Sequence, residues 1–187
     1  MNKICRLMNR LFNTAILKRQ GVEHGDNIKI NGRIFIQNGG EISIGNDVKI
    51  NSSIKANPTS GVITKLCTDR NGKVKIGNRV GISNATIFAF GEITIEDDVD
   101  IGAGAKIFDS DFHSVDFSER KNNVGVKVKP VKICEGAFIG AEAIILKGVT
   151  VGKHSVVGAG SVVTKNIPDY EIWGGNPARY IGICNGR

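Results

Sequence analysis

Residues 133–163 read ICEGAFIGAEAIILKGVTVGKHSVVGAGSVV. In this stretch Ile133, Ile139, Ile145, Val151, Val157 and Val163 stand at every sixth position. Four places after each of the first five comes a small or β-branched residue: Ala137, Ala143, Val149, Ser155 and Ser161. On an α-helix a step of six leaves successive members about 240° apart, so they share no face. A flat strand alternates every second residue instead. A chain that runs straight for a few residues, turns by about a third of a revolution and repeats sends every sixth side chain inward, and three hexads close one triangular coil. The aliphatic residue then stacks on its equivalent one coil away, the small residue shares the interior, and glycine relieves the corner.

The frame extends towards the N-terminus. It recurs at Ile95, Ile101 and Ile107 with Val99 and Ala105, and at Ile76, Ile82 and Phe88 with Val80 and Thr86. A rougher version runs through Ile44 and Ile50 with Val48 and Ile54, and through Ile30 and Ile36. Three places break it. The step from Phe88 to Ile95 is seven, which implies an extra residue in the corner near Phe90 and Gly91. Asn57 to Asn71 is polar, with Pro58, Gly61 and Gly72 in or beside it, and reads as a loop or hairpin leaving the coil. Asp109 to Pro130 has no six-fold pattern. The predicted organisation is therefore an amphipathic segment at 1–21, a solenoid of parallel strands at 22–167 with inserted loops at about 57–71 and 108–130, and a terminal cap at 168–187 in which Trp173 covers apolar surface.

Composition limits the alternatives. The chain has 187 residues, 24 of them Gly against 4 Pro, with 41% hydrophobic residues and a net charge of +7. The glycines lack a period of three, which excludes collagen. No stretch approaches the roughly 20 apolar residues that cross a bilayer. Cys5, Cys67, Cys134 and Cys184 form no metal-binding spacing and read as free thiols of a reducing compartment. The first residues lack the apolar core of a secretory signal, so a cytoplasmic location is expected. No basic stripe interleaved with aromatics points to nucleic acid. Gly102-Ala103-Gly104 and Gly158-Ala159-Gly160 are not dinucleotide fingerprints, because the six-residue frame runs through both where a helix would have to begin.

The repeat, continued by Gly158-Ala159-Gly160-Ser161-Val162-Val163-Thr164-Lys165-Asn166-Ile167-Pro168 and by Gly174-Gly175-Asn176-Pro177-Ala178-Arg179, resembles the hexapeptide-repeat acyltransferase superfamily, and within it the galactoside, maltose and polysaccharide O-acetyltransferases. The resemblance covers roughly Ile28 to Ile181. It implies an all-β solenoid, a left-handed parallel β-helix with triangular coils, a protruding active-site loop and short helical caps. It also implies acetyl-CoA as cosubstrate, no metal, and a homotrimer whose sites lie between subunits.

On that resemblance His113, in Phe108-Asp109-Ser110-Asp111-Phe112-His113-Ser114, matches the catalytic base that removes a proton from a sugar hydroxyl. Asn84 matches an acceptor-contacting asparagine and is expected to face outward. Asp111 either orients the imidazole or holds acceptor hydroxyls, whereas Asp109 reads as a loop-entry residue making turn hydrogen bonds. Phe138, Gly140, Ala141 and Ala159 match the groove for the pantetheine arm. Thr164, Lys165 and Arg179 match positions near the nucleotide phosphates, where cations fit. His24 and His154 read as surface residues, and the three histidines show no spacing resembling a zinc set.

Other acceptors keep the same fold: an antibiotic hydroxyl, a serine, or an aminosugar amine. A non-catalytic β-helix scaffold is the alternative outside enzymes. At the N-terminus Ile4, Leu7, Met8, Leu11, Phe12, Ala15 and Ile16 recur at helical spacing among Lys3, Arg6, Arg10, Lys18 and Arg19. This segment reads first as a cap over the open coil end, with weak attachment to an anionic membrane as the second reading.

Overall fold

The computed structural model describes residues 3–55, 59, 61–122 and 124–184. Asn57 and Pro58, where the first inserted loop was expected to open, lie outside the described residues. A helix, α1 (Lys3–Arg19), is followed by short strands that recur in three parallel sheets. Sheet one stacks Glu23–His24, Glu41–Ile44, Lys73–Ile76, Glu92–Ile95, Val131–Ile133 and Thr150–Val151. Sheet two stacks Lys29–Gly32, Lys49–Ser52, Gly81–Ser83, Asp100–Ile101, Phe138–Ile139 and Val156–Val157, then Glu171–Gly175 and Ala178–Ile183. Sheet three stacks Phe35–Asn38, Lys65–Thr68, Thr86–Ala89, Lys106–Phe108, Ile144–Ile145 and Val162–Val163. Successive strands visit the three sheets in turn, so the chain winds as a triangular parallel β-helix.

Register explains the hexads. Ile76 pairs with Ile95, Ile95 with Ile133, and Ile133 with Val151. On sheet two Ile50, Ile82, Ile101, Ile139 and Val157 form the same kind of column, and on sheet three Ile36, Leu66, Ile87, Ile107, Ile145 and Val163. Nearly all of these side chains are fully buried. Each contributes about 1.5–3 kcal/mol by leaving water, so the core is a stack of like on like.

Corners repeat as faithfully as strands. After each visit to sheet one the chain turns through a residue of positive φ: Asn27, Asp47, Arg79, Asp98, Gly136, His154 and Tyr170. Left-handed backbone costs about 1–2 kcal/mol at a non-glycine residue. An inter-coil ladder offsets that cost: the N–H groups of Asp47, Arg79, Asp98, Gly136, His154 and Tyr170 each donate to a carbonyl of the preceding coil at 2.8–3.0 Å. Side chains add a second ladder, with Asn46, Asn78, Asp97 and Asp169 accepting from backbone N–H groups of the coil before at 2.7–2.8 Å. Arg79 holds Asp98 through two bonds of 2.6 Å, which keeps that carboxyl below the usual range.

Four details depart from the sequence reading. Ile87, not Phe88, faces the core, and Ala85, not Thr86, is the small inward residue. The corner at Asn84 is one residue shorter than a hexad allows, so the frame slips there and Phe88 turns outward. Lys65–Thr68 is a coil strand, paired with Phe35–Asn38, inside the stretch expected to be loop. Its only strong aliphatic is Leu66, too little for a periodic signal. Ile54, expected inward, is exposed because the chain has already left the coil. At the C-terminus the coil closes with a hairpin rather than a helix: Glu171–Gly175 extends sheet two in parallel, and Ala178–Ile183 folds back antiparallel. Ala178 is buried, and Trp173 packs on the core in register with Val157.

Coil spacing sets a steric limit at the corner between sheets two and three. A Cβ on Gly102 would lie 2.6 Å from the Ala141 backbone nitrogen and 2.8 Å from the Gly140 carbonyl carbon, and one on Gly140 would lie 2.6 Å from the Ala159 nitrogen. Backbone cannot yield there without parting two coils. Gly102→Ala is expected to destabilise the fold by about 1–3 kcal/mol or more, whereas Gly182→Ala, where a Cβ meets nothing within 4 Å, should leave the thermal midpoint unchanged. Thermal denaturation of the two variants checks the contrast.

Candidate active site

The long insertion leaves the coil after Lys106–Phe108 on sheet three and returns at Val131 on sheet one. Its neck is tied to the coils on both sides. The buried Asp109 carboxylate accepts the N–H groups of Phe90 at 2.8 Å and Gly91 at 2.7 Å from the coil before. Asp109 was expected to make local turn hydrogen bonds; its carboxylate instead ties two coils together. Ser110 bridges Val128, the Lys129 N–H donates to the Asp109 carbonyl, and the Gly148 N–H of the coil after donates to the Lys129 carbonyl. Asp111 forms an ion pair with Lys147, also from the coil after, with both side chains largely shielded from solvent. Farther out, Asp116 caps the short helix α2 (Phe117–Arg120), and the Arg120 side chain donates to the carbonyls of Ser114 and Val115.

His113 is exposed just past this neck, and its backbone N–H donates to the Asp111 carbonyl at 2.6 Å. Its direction is set by Phe112, which has a φ of 60° and enters a cluster of Phe88, Phe90 and Phe108 with ring centroids 5.1–5.4 Å away. Half of the eight phenylalanines therefore meet here. Sequence reading missed this cluster. The signal was present in Phe88 and Phe90, two apart on one strand face and one coil before Phe108, but placing Phe88 in the core concealed it.

The sequence-assigned residues fall into groups on either side of sheet three. Asn84, Gly140, Ala141 and Ala159 lie at the corner between sheets two and three, where the N–H of Gly104 donates to the Asn84 carbonyl and that of Gly160 to the Ala141 carbonyl. His113 and Asp111 lie at the corner between sheets three and one, and Thr164 and Lys165 leave the last strand of sheet three at that same corner. Phe138 is 46% exposed on the outer face of sheet two. Arg179 pairs with Gly174 on the terminal hairpin, and its Nη1 donates to the Ala178 carbonyl at 3.0 Å. Asn84 corrects the expectation of an outward side chain: it is fully buried, with Nδ2 3.5 Å from the Ser53 carbonyl oxygen, because the shortened corner turns it in. His154 lies on Tyr170, ring centroids 5.2 Å apart, at the corner between sheets one and two rather than at the corner that bears the insertion.

A family model for the bacterial transferase hexapeptide, in six repeats, matches residues 130–165. Galactoside O-acetyltransferase of Lactococcus lactis is 40% identical over 98 residues, which cover 49% of this chain and 47% of that protein. The dTDP-3-amino-3,6-dideoxy-alpha-D-galactopyranose 3-N-acetyltransferase of Aneurinibacillus thermoaerophilus is 53% identical over 51 residues, 27% of each chain. The match thus spans about half or less of these relatives' length. Likeness of fold runs further. A variant of AntD, an N-acyltransferase from Bacillus cereus solved with dTDP-4-amino-4,6-dideoxyglucose and coenzyme A, superposes with a TM-score of 0.73 at 25% identity, covering 92% of this chain and 90% of that one. Galactoside acetyltransferase in complex with coenzyme A gives 0.63 at 25% identity, covering 99% and 84%. The fold is the left-handed parallel β-helix of the hexapeptide acetyltransferases.

The aromatic anchor under His113 is testable by itself. Each aromatic pair is worth about 0.5–1.5 kcal/mol beyond its area, so Phe112→Ala is expected to loosen the insertion while the coil stays folded. Trypsin cleavage after Arg120 and Lys121 should accelerate by about tenfold, with an unchanged thermal midpoint.

Proposed function

We propose that the protein transfers an acetyl group from acetyl-CoA to a sugar, with His113 as general base, in sites shared between the subunits of a homotrimer. One observation carries the reading. The exposed imidazole is held on a neck stapled to two coils, while the glycine–alanine track of Gly140, Ala141 and Ala159 lies at the other corner of sheet three. A single chain does not bring the two together. Chains packed side by side around a three-fold axis would set the His113 corner of one against the glycine–alanine corner of the next.

In such a site the neutral imidazole takes the proton of a sugar hydroxyl as its oxygen attacks the thioester carbonyl. The tetrahedral oxyanion is held by a backbone N–H. It collapses with cleavage of the carbon–sulfur bond, and the imidazolium returns the proton to the departing thiolate. No covalent enzyme intermediate is needed. Phe138, Gly140, Ala141 and Ala159 would flank the pantetheine arm, and Thr164, Lys165 and Arg179 would meet the nucleotide phosphates. Asp111, neutralised by Lys147, serves better as a brace for the loop than as a proton carrier. Asn84, buried and with its main chain bonded to neighbouring coils, would support the corner rather than contact the acceptor.

An amine acceptor is the second reading. It is favoured by the aminosugar N-acetyltransferase of Aneurinibacillus thermoaerophilus and by the N-acyltransferase AntD among the similar proteins. The same imidazole would then take a proton from the attacking nitrogen. A thiol-release assay with acetyl-CoA, run over simple sugars and nucleotide-linked aminosugars, separates the two.

His113→Ala is expected to lower kcat by about 10²–10⁴ while CoA binding and the thermal midpoint stay unchanged. Near wild-type turnover would remove His113 from the mechanism. Light scattering is expected to report three chains of 20.0 kDa each. A fully active monomer would defeat the shared site.

A further inference from the structure

The N-terminal helix uses only one of its faces on the coil. Asn13 and Leu17 are buried against the first coil, where the Asn13 amide donates to the Gly32 carbonyl at 2.9 Å and accepts from the Ile34 N–H at 3.2 Å. That is the capping contact. At 100° per residue Leu11 lies about 200° from Asn13, so the opposite face points away from the protein. Along it Ile4, Leu7, Met8 and Leu11 are 65%, 58%, 54% and 62% exposed. A cap needs one apolar face; this helix has a second that the chain leaves bare.

The charge on the helix indicates what covers that face. Lys3, Arg6, Arg10, Lys18 and Arg19 are its only ionisable side chains besides Cys5, and it carries no carboxylate. The segment therefore supplies five of the net seven positive charges of the whole chain. Two such helices pressed together would repel, having no acid to pair with, which disfavours a second copy as occupant. An anionic phospholipid surface satisfies both features, taking the apolar stripe into its acyl boundary and the flanking Lys3, Lys18 and Arg19 among its phosphates, while Arg6 and Arg10 line the space between helix and coil. At 17 residues the helix is also among the described helices that are too short and too polar to cross a bilayer.

We propose that α1 docks the protein on an anionic phospholipid surface through its outward apolar stripe. The docking face is separate from His113, which leaves the coil corner several turns away on the insertion. It would bring the solenoid to lipid-linked or surface-bound acceptors without altering the transfer site.

The test is co-sedimentation of the full chain with pure phosphatidylcholine vesicles and with phosphatidylcholine–phosphatidylglycerol vesicles at low and high salt, with Leu7→Glu/Leu11→Glu as the variant. Both substituted positions are exposed, so the fold is retained. At least about tenfold more binding to the anionic vesicles is expected, released by high salt and abolished in the variant. Equal sedimentation with both lipids, or binding unchanged in the variant, would overturn the proposal. So would a smaller assembly mass for the variant by light scattering, because the stripe would then be an interface between copies.

Discussion

Every feature of this molecule depends on parallel pairing between a strand and its equivalent one coil later. That pairing forces like to stack on like. A column such as Ile76, Ile95, Ile133 and Val151 has no alternative neighbours to choose among, since each residue sees its own kind above and below. The same rule governs corners, where a left-handed residue in one coil sits on a left-handed residue in the next and shares its hydrogen-bond ladder. A residue added within a strand would break all columns at once. Added chain must therefore leave at a corner, which is why the insertion bearing His113 hangs between Phe108 and Val131 with the pairing of sheet three undisturbed through it.

The coil was legible in the sequence wherever its strands kept the six-residue step, from Ile95 onward, because there one residue type recurs at one spacing and no competing structure accommodates it. It was illegible where the chain departs from that step. Phe88 has the hydrophobicity of a core residue, and only the shortened corner at Asn84 reveals that it faces out. Lys65–Thr68 escaped because a single Leu66 carries its inward face, with Cys67 and Thr68 buried beside it. The terminal hairpin escaped for a different reason: its strand order rests on pairing with Val156 and Val157, a long-range contact that local composition does not encode.

The candidate site was readable as a set of residues but not as an arrangement. A motif placed His113 on an exposed loop, and that is where it stands. What no motif contained is its support. Asp109 holds two N–H groups of the preceding coil, Lys147 reaches down from the following one, and four phenylalanine rings underlie the turn that aims the imidazole. These partners are distant in the chain and close only because the coil stacks them. The division of the assigned residues between two corners is likewise a property of the prism, invisible in a linear list.

A solenoid of identical rungs has no intrinsic stopping point, and an open rung is a template for another molecule's strands. This protein ends its two faces in unlike ways. The first coil is covered by a helix that hydrogen-bonds to it through Asn13, and by Gln20 just past the helix end. The last is overlain by Ala178–Ile183, which runs against the strand direction of everything beneath it. Neither finish matches the other, so the top of one molecule offers no register to the bottom of the next. Among the described residues, then, end-to-end addition of coils meets a helix at one end and a reversed strand on sheet two at the other.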